Sequence, residues 1–179
     1  MKKLSTIILV LAFVVSTYGF NKKIDDKKFG YIGSAKCGMC HKKDDDGAQL
    51  KIWEASAHAK AYKNMVAKDA ANAKNESCLK CHATGAGSDP KLNDAKFSIE
   101  DGVQCEACHG AGSEYKSMKV MKDQKASIEA GLIVFADDKA IETQCLTCHD
   151  NKNKPEKHVK GDFKFEEMYK KIKHNKPAK

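Results

Sequence analysis

The pentapeptide CGMCH, at residues 37–41, decides how this chain folds. Two cysteines are separated by two residues, and a histidine follows the second cysteine directly. The same arrangement recurs as CLKCH at 78–82, CEACH at 105–109 and CLTCH at 145–149, and we number these the first to fourth motifs. The chain has 8 cysteines, and every one of them lies in a motif. A histidine in the same place four times out of four is not a chance pattern.

The pattern C-x-x-C-H is the attachment signal for a c-type haem. Its two thiols form thioether bonds to one porphyrin, and the adjacent imidazole binds the iron as the proximal ligand. The sequence therefore predicts four covalently bound haem c groups as cofactors. The predicted attachment residues are Cys37, Cys40, Cys78, Cys81, Cys105, Cys108, Cys145 and Cys148, and the predicted proximal ligands are His41, His82, His109 and His149.

Three other uses of paired cysteines explain less of the sequence. Two zinc sites with four cysteines each give no reason for a histidine after every pair. A thioredoxin-like dithiol needs one motif on a βαβ frame rather than four copies. Four disulfides in an exported protein also leave the histidines unexplained. Haem attachment accounts for both residue types.

The composition predicts a thin side-chain core. Aromatic residues make up 7% of the 179 residues, and Trp53 is the single tryptophan. Apolar residues recur at helical spacing and no alternating strand pattern appears, so we expect a mostly α chain with extensive coil, a small multihaem cytochrome c fold built around four covalently attached haems. One predicted helix, within residues 51–68, places His58, Tyr62 and Met65 on one face. Two further helices are predicted to begin after Ser113 and Ser127, which would act as their N-caps. Another helix is predicted over residues 165–172, where apolar residues recur at helical spacing.

The N-terminus has the pattern of a secretory signal. Two lysines precede an apolar run of 12 residues, which is too short to span a bilayer as a helix, and small residues follow it. We expect residues 1–19 to be the signal and residues 20–179 to form a single tetrahaem cytochrome c domain. An uncleaved anchor is the alternative. The expected location is the periplasm or the extracellular space.

Three histidines lie outside the motifs, and they are the candidates for distal iron ligands: His58, His158 and His174. Three residues cannot complete four irons. At least one haem must therefore be five-coordinate, take a ligand from another molecule, or use a different side chain. Met118 and Met121 are the methionine candidates. An iron with methionine and histidine ligands has a higher reduction potential than an iron with two histidine ligands.

Several segments resemble the cytochrome c554 family of tetrahaem c-type cytochromes. They are YIGSAKCGMCH at 31–41, WEASAHAKA at 53–61, GVQCEACHGAGSEY at 102–115 and FKFEEMYKKIKH at 163–174. The resemblance implies that His58 pairs with His149 and that His174 pairs with His109. It also implies a five-coordinate second haem, at His82.

The chain departs from that family at one ligand. In the family, a histidine shortly after the third motif serves the first haem, but residues 110–123 contain none. Met118 and Met121 lie in that stretch instead. His158 has no clear counterpart in the family, and the resemblance leaves open whether it serves the first or the second haem.

These features favour an exported tetrahaem c-type cytochrome that shuttles electrons between respiratory redox partners through closely packed haems. One alternative is a haem enzyme acting on a small nitrogen oxide or peroxide at an open iron, although the chain has no C-x-x-C-K motif. Another alternative is a subunit of a cytochrome filament, in which a neighbouring chain donates the missing ligand. We expect an electron-transfer protein rather than an enzyme, with no catalytic residues assigned.

The formal net charge of +8 does not indicate a nucleic-acid partner. The propionates of the haems offset much of this charge, and an exported protein rarely meets nucleic acid. Lysine-rich patches are better suited to steering an acidic redox protein. The expected partners are redox proteins, including complexes at a membrane surface, and other copies of the chain.

Overall fold

The computed structural model describes residues 29–155, residue 158 and residues 161–175. The predicted signal at residues 1–19 lies outside the described residues. About half of the described residues are helical, and none of them forms a strand. The α-helices are α1 (Ser34–Gly38), α2 (Gln49–Ala55), α3 (Ala61–Lys68), α4 (Glu76–His82), α5 (Glu106–His109), α6 (Met118–Met121), α7 (Gln124–Glu129), α8 (Asp138–His149) and α9 (Phe165–Tyr169). The prediction of a mostly α chain with extensive coil is confirmed.

The helix predicted within residues 51–68 is broken in its middle. Helix α2 ends at Ala55, a 3₁₀ turn covers His58–Lys60, and α3 begins at Ala61. Ser56 has extended backbone angles, and its hydroxyl donates to the carbonyl of Trp53 at 2.7 Å. Such a local bond competes with the helical hydrogen bond and favours a helix end. His58 therefore lies on the 3₁₀ turn rather than on a continuous helix face.

The predicted caps at Ser113 and Ser127 are wrong. The Ser117 hydroxyl caps α6 by accepting from the amide of Val120, and the Asp123 carboxylate caps α7 by accepting from Ala126. Ser113 instead accepts from the amide of Gly30 at 3.1 Å, so a long-range contact uses its hydroxyl. A candidate cap chosen from local sequence cannot reveal such a competing partner.

The side-chain core is small, as the composition predicts. Among the described residues, the buried apolar side chains are Ile32, Met65, Leu79, Ala83 and Tyr115. Met65, Leu79 and Ala83 form one cluster that joins α3 to α4. Burial of so few side chains contributes little hydrophobic stabilisation for a chain of this length.

Candidate haem-binding site

Each motif lies at the C-terminal end of a helix or of a helical turn. The amide of His41 donates to the carbonyl of Cys37 at 3.0 Å, and the amide of His109 donates to Cys105 at the same distance. Helices α4 and α8 end at His82 and His149. The two cysteines and the histidine of a motif stand at positions i, i+3 and i+4, which share one helix face. Local geometry therefore directs two thiols and one imidazole to the same side.

Two proximal imidazoles are oriented by backbone carbonyls. His82 Nδ1 lies 3.3 Å from the carbonyl oxygen of Ala61, and His109 Nδ1 lies 3.4 Å from that of Ile133. A proton on Nδ1 donates to the carbonyl and leaves the Nε2 lone pair for a metal. Metal-binding histidines in proteins are held in this way by a second hydrogen bond.

Six of the seven histidines form three ring pairs of nearly equal spacing. The ring centroids lie 6.1 Å apart for His58 and His149, 5.9 Å apart for His82 and His158, and 6.0 Å apart for His109 and His174. Two imidazole nitrogens each about 2.0 Å from one metal ion put their ring centroids roughly 6 Å apart. The spacing of all three pairs therefore fits one iron between each two rings.

The pairs match the resemblance in two places and differ from it in a third. The ring of His58 pairs with that of His149, and the ring of His174 pairs with that of His109, as the resemblance implied. The second motif, however, has a second imidazole, because His158 lies against His82. His41 is the remaining histidine, and among the described residues no imidazole ring pairs with it.

Burial favours the uncharged form of the motif imidazoles and of His58. It lowers the pKa of every motif histidine and of His58, because a charged ring loses its water on burial. The residues concerned are His41, His58, His82, His109 and His149. An iron ligand must present a neutral ring with a free lone pair, so these shifts favour metal binding at neutral pH.

Thiols of different motifs lie close enough to one another to shift their pKa values, which shows which motifs are neighbours. A hydrogen bond with the Cys105 thiol raises the pKa of Cys37, which joins the first motif to the third. Burial and the nearby Cys148 thiol raise the pKa of Cys81 to about 11, which joins the second motif to the fourth.

A third proximity connects the first and third motifs to the second and fourth motifs. Burial and the nearby thiols of Cys145 and Cys148 raise the pKa of Cys108 to about 11. The third motif therefore lies beside the fourth as well as beside the first. The four motifs form a row in the order first, third, fourth, second, which differs from their order in the sequence.

Two buried polar side chains around the third motif hold the first motif in place. Glu106 is 2% exposed, and its carboxylate accepts from the amides of Ile32, Gly33 and Gly112 at 2.7–3.1 Å. Burial raises the pKa of this carboxyl, while the backbone hydrogen bonds oppose the shift. Glu106 was not predicted as a site residue, although it lies within the distinctive segment 102–115.

Gln104 forms the second of these connections. Its side-chain oxygen accepts from the amide and the hydroxyl of Ser34 at 2.8 and 2.9 Å, and its amide nitrogen donates to Ser98. Its backbone amide donates to the Thr84 hydroxyl at 2.7 Å, just after the second motif. Gln104 therefore links α1, which carries the first motif, to the chain around the second and third motifs.

The segment WEASAHAKA positions His58 through its backbone. The indole of Trp53 donates to the carbonyl of Val103 at 2.7 Å, and the amide of Val103 donates to the carbonyl of His58 at 3.0 Å. Gly102 has φ +78°, and a Cβ there would lie 2.6 Å from the carbonyl oxygen of His58. The approach of the two segments therefore requires glycine at position 102.

The first motif is the most exposed of the four. Cys40 is the one exposed cysteine among the eight, and Met39 beside it is 70% exposed. A surface groove of about 350 Å³ runs along this motif, with Gly38, Leu50 and Trp53 in its lining. A group attached at the first motif would have an edge open to a partner.

The candidate methionines lie on α6, which begins nine residues after the third motif. Met118 is 65% exposed, and Met121 is partly buried. Helix α6 packs against α7. Neither position alone identifies an iron ligand, but both lie in the segment that follows the third motif.

Helical C-x-x-C-H motifs, oriented neutral imidazoles and ring pairs spaced for iron define a c-type cytochrome. The chain matches the family model for cytochrome c554 and c-prime over residues 36–110. It is 28% identical over 182 residues to cytochrome c-554 of Nitrosomonas europaea, an alignment that covers 80% of this chain and 73% of that protein. No solved structure matches the chain. These two matches bear out the resemblance to the cytochrome c554 family, and they support a c-type cytochrome with covalently bound haem c that acts in electron transfer.

The described part of the chain contains no helix long and apolar enough to cross a membrane.

Proposed function

We propose that this protein is an exported tetrahaem cytochrome that carries electrons from one end of its row of motifs to the other. The observation that carries the proposal is the set of three imidazole ring pairs, each spaced for one iron. The effects of neighbouring thiols on pKa support the order of the row, because they place Cys37 near Cys105, Cys108 near Cys145, and Cys148 near Cys81. Neighbouring motifs in the row are thus close enough for their bound groups to lie side by side.

The axial ligands follow from the ring pairs. The spacing of 5.9–6.1 Å supports three bis-histidine irons, at His58 with His149, His82 with His158, and His109 with His174. Haem bound here supplies one-electron chemistry between Fe(III) and Fe(II). Two strong imidazole ligands favour rapid electron transfer, because the coordination geometry changes little between the two oxidation states.

The protein's own contribution is a rigid spacing of the motifs. Glu106 and Gln104 bind the backbone before and within α1 through buried hydrogen bonds, so the first and third motifs cannot separate without exposing those groups. A buried polar network that is fully paired specifies one arrangement. A fixed distance between neighbouring sites is what a chain of electron transfers requires.

The exposed first motif is the proposed docking end for a redox protein. Met39 and the groove beside Leu50 and Trp53 give a small, partly apolar contact surface there. Small contact areas suit weak, transient complexes between redox proteins. The secretory pattern at residues 1–19 supports a periplasmic or extracellular location, where the partners would be soluble redox proteins or complexes at a membrane surface.

The enzyme alternative has less support than electron transfer. His158 was the histidine that the sequence offered as an acid–base group beside an open iron. Its ring centroid lies 5.9 Å from that of His82, and this spacing fits two imidazoles that bind one iron. The side chain is therefore used for iron binding in our proposal, and no second histidine is available for the acid–base role.

The haem count tests the first part of the proposal. Intact mass and the alkaline pyridine spectrum of the purified protein should give four haems per chain. Fewer than four would contradict the tetrahaem proposal.

Two variants with one motif disabled test the order of the row. Disabling the fourth motif with Cys145→Ser and Cys148→Ser should split the row and slow electron equilibration, followed by stopped-flow reduction. Disabling the second motif with Cys78→Ser and Cys81→Ser is the matched control, because it removes only an end and leaves three neighbours in contact. Equal equilibration rates in the two variants would contradict the proposed order.

A further inference from the structure

We propose that Met118 supplies the sixth ligand of the iron at the first motif, which makes this the one histidine–methionine haem of the protein. The inference rests on the proposed tetrahaem function. It goes beyond that function because it gives the irons at the two ends of the row different axial ligands.

The chain has too few histidines to give every proposed iron two of them. The chain has 7 histidines, and six of them are used in the three ring pairs. The seventh is His41, the proximal residue of the first motif. No histidine of this chain is left to complete that iron, so the sixth ligand has to be a different side chain or an external molecule.

The segment after the third motif is held against the first motif. The amide of Gly112 donates to the Glu106 carboxylate at 2.7 Å, and the same carboxylate accepts from the amides of Ile32 and Gly33, directly before α1. Ser113 exchanges two hydrogen bonds with Gly30, close to α1. These contacts hold residues 112–113 beside the chain that leads into α1, the helix that carries Cys37 of the first motif.

Met118 follows Tyr115 by three residues. A stretch of three residues spans at most about 10 Å, which is comparable to the width of a porphyrin. A haem attached at the first motif, beside this segment, would therefore lie within reach of Met118. The Ser117 cap fixes the start of α6 at this point, since its hydroxyl accepts from Val120.

The exposure of the methionine side chains separates the candidates. Met118 is 65% exposed, whereas Met121, one turn along the same helix, is partly buried. Met39 is also exposed but lies between the two cysteines of the first motif, on the proximal side with His41. A thioether that projects from the helix is available to a metal, and a packed one is held by its neighbours.

Methionine in place of histidine raises the reduction potential of a haem iron. The first motif is one end of the row, and the second motif, with His82 and His158, is the other. A high-potential iron at the first motif makes this end the electron exit. Its exposed surroundings suit contact with an acceptor.

The experiment compares the air-oxidised wild type with Met118→Ala, Met118→His and the matched control Met121→Ala. The wild type should show four low-spin haems and the weak charge-transfer absorption of sulfur-bound ferric iron. Met118→Ala should lose that band and gain one high-spin haem that binds CO when reduced. Met118→His should lose the band but stay low-spin, with one potential lowered. Met121→Ala should match the wild type.

Several results would overturn the assignment. A wild-type high-spin haem that binds CO would show an open iron, and an effect of Met121→Ala alone would give the ligand role to Met121. A low-spin wild type that becomes high-spin on dilution would mean that a neighbouring chain donates the ligand. A haem count below four, in contrast, would contradict the tetrahaem function, while four haems with a silent Met118→Ala would contradict only the methionine ligand.

Discussion

The imidazole rings of His82 and His158 lie 5.9 Å apart with an angle of 37° between their planes. His82 ends α4 in the middle of the chain, and His158 lies well beyond α8. Their meeting gives the second motif two imidazoles. It also leaves the first motif as the one without a second histidine, in contrast to what the family resemblance implied.

Replacing His158 should open the iron at the second motif. In His158→Ala, we expect one low-spin haem to become high-spin and to bind CO after reduction, because no other histidine is available to replace the lost ring. EPR and CO titration would measure the change. The control is Lys152→Ala, an exposed position near His158 in sequence. An unchanged low-spin spectrum in His158→Ala would rule out the ligand role.

Gly102→Ala should displace His58. The added Cβ would lie 2.6 Å from the His58 carbonyl oxygen. We expect a loss of about 1–3 kcal/mol in stability and an altered signal from the haem at His149. Gly87→Ala is a matched control, because Gly87 also has a positive φ, +81°, but has no atom within 4 Å of the added carbon. Equal effects in the two variants would mean that backbone strain alone is responsible.

Removing the carboxylate of Glu106 should loosen the first motif from the third. Glu106→Ala leaves the amides of Ile32, Gly33 and Gly112 buried without their acceptor, which should cost about 3 kcal/mol or more. Thermal unfolding of the holoprotein measures the loss. Glu114→Ala removes an exposed carboxylate that accepts from the Ser113 hydroxyl at 3.3 Å, and we expect little change. Similar midpoints for both variants would contradict a structural role for Glu106.

The indole of Trp53 should be needed for its hydrogen bond as well as for its bulk. Trp53→Phe leaves the Val103 carbonyl without its donor, and we expect about 1–2 kcal/mol of destabilisation. Lys51→Ala, on the same helix as Trp53, breaks the exposed ion pair with Asp44 and should change stability by less than about 1 kcal/mol. A Trp53→Phe protein as stable as the wild type would show that ring packing suffices.

The local part of the site could be predicted from the sequence. The cysteines and histidine of a motif are neighbours at i, i+3 and i+4, so one helical turn brings them to one face whatever the rest of the chain does. The mostly α fold followed from the helical spacing of apolar residues and the absence of alternating segments. The break at Ser56 was not predicted, because apolar periodicity does not register a serine that bonds to the preceding turn.

The long-range part of the site could not be derived from the residues alone. Whether His158 meets the first or the second motif depends on how the chain after α8 turns, and no local pattern encodes that path. Glu106 and Gln104 look like ordinary surface residues in the sequence. Their roles depend on Ile32 and Ser34, which are more than 60 residues away, and only burial reveals them.

The order of the row has a consequence for how the protein matures. The chain is made from its N-terminus, so the fourth motif is the last to appear, yet it lies in the interior of the row between the third and the second motifs. In the proposed tetrahaem protein, a chain without the fourth motif would hold two separate groups of redox centres and no continuous path. Attachment at the fourth motif would therefore be what joins the first and third centres to the second, so that a molecule without it could not carry electrons from end to end.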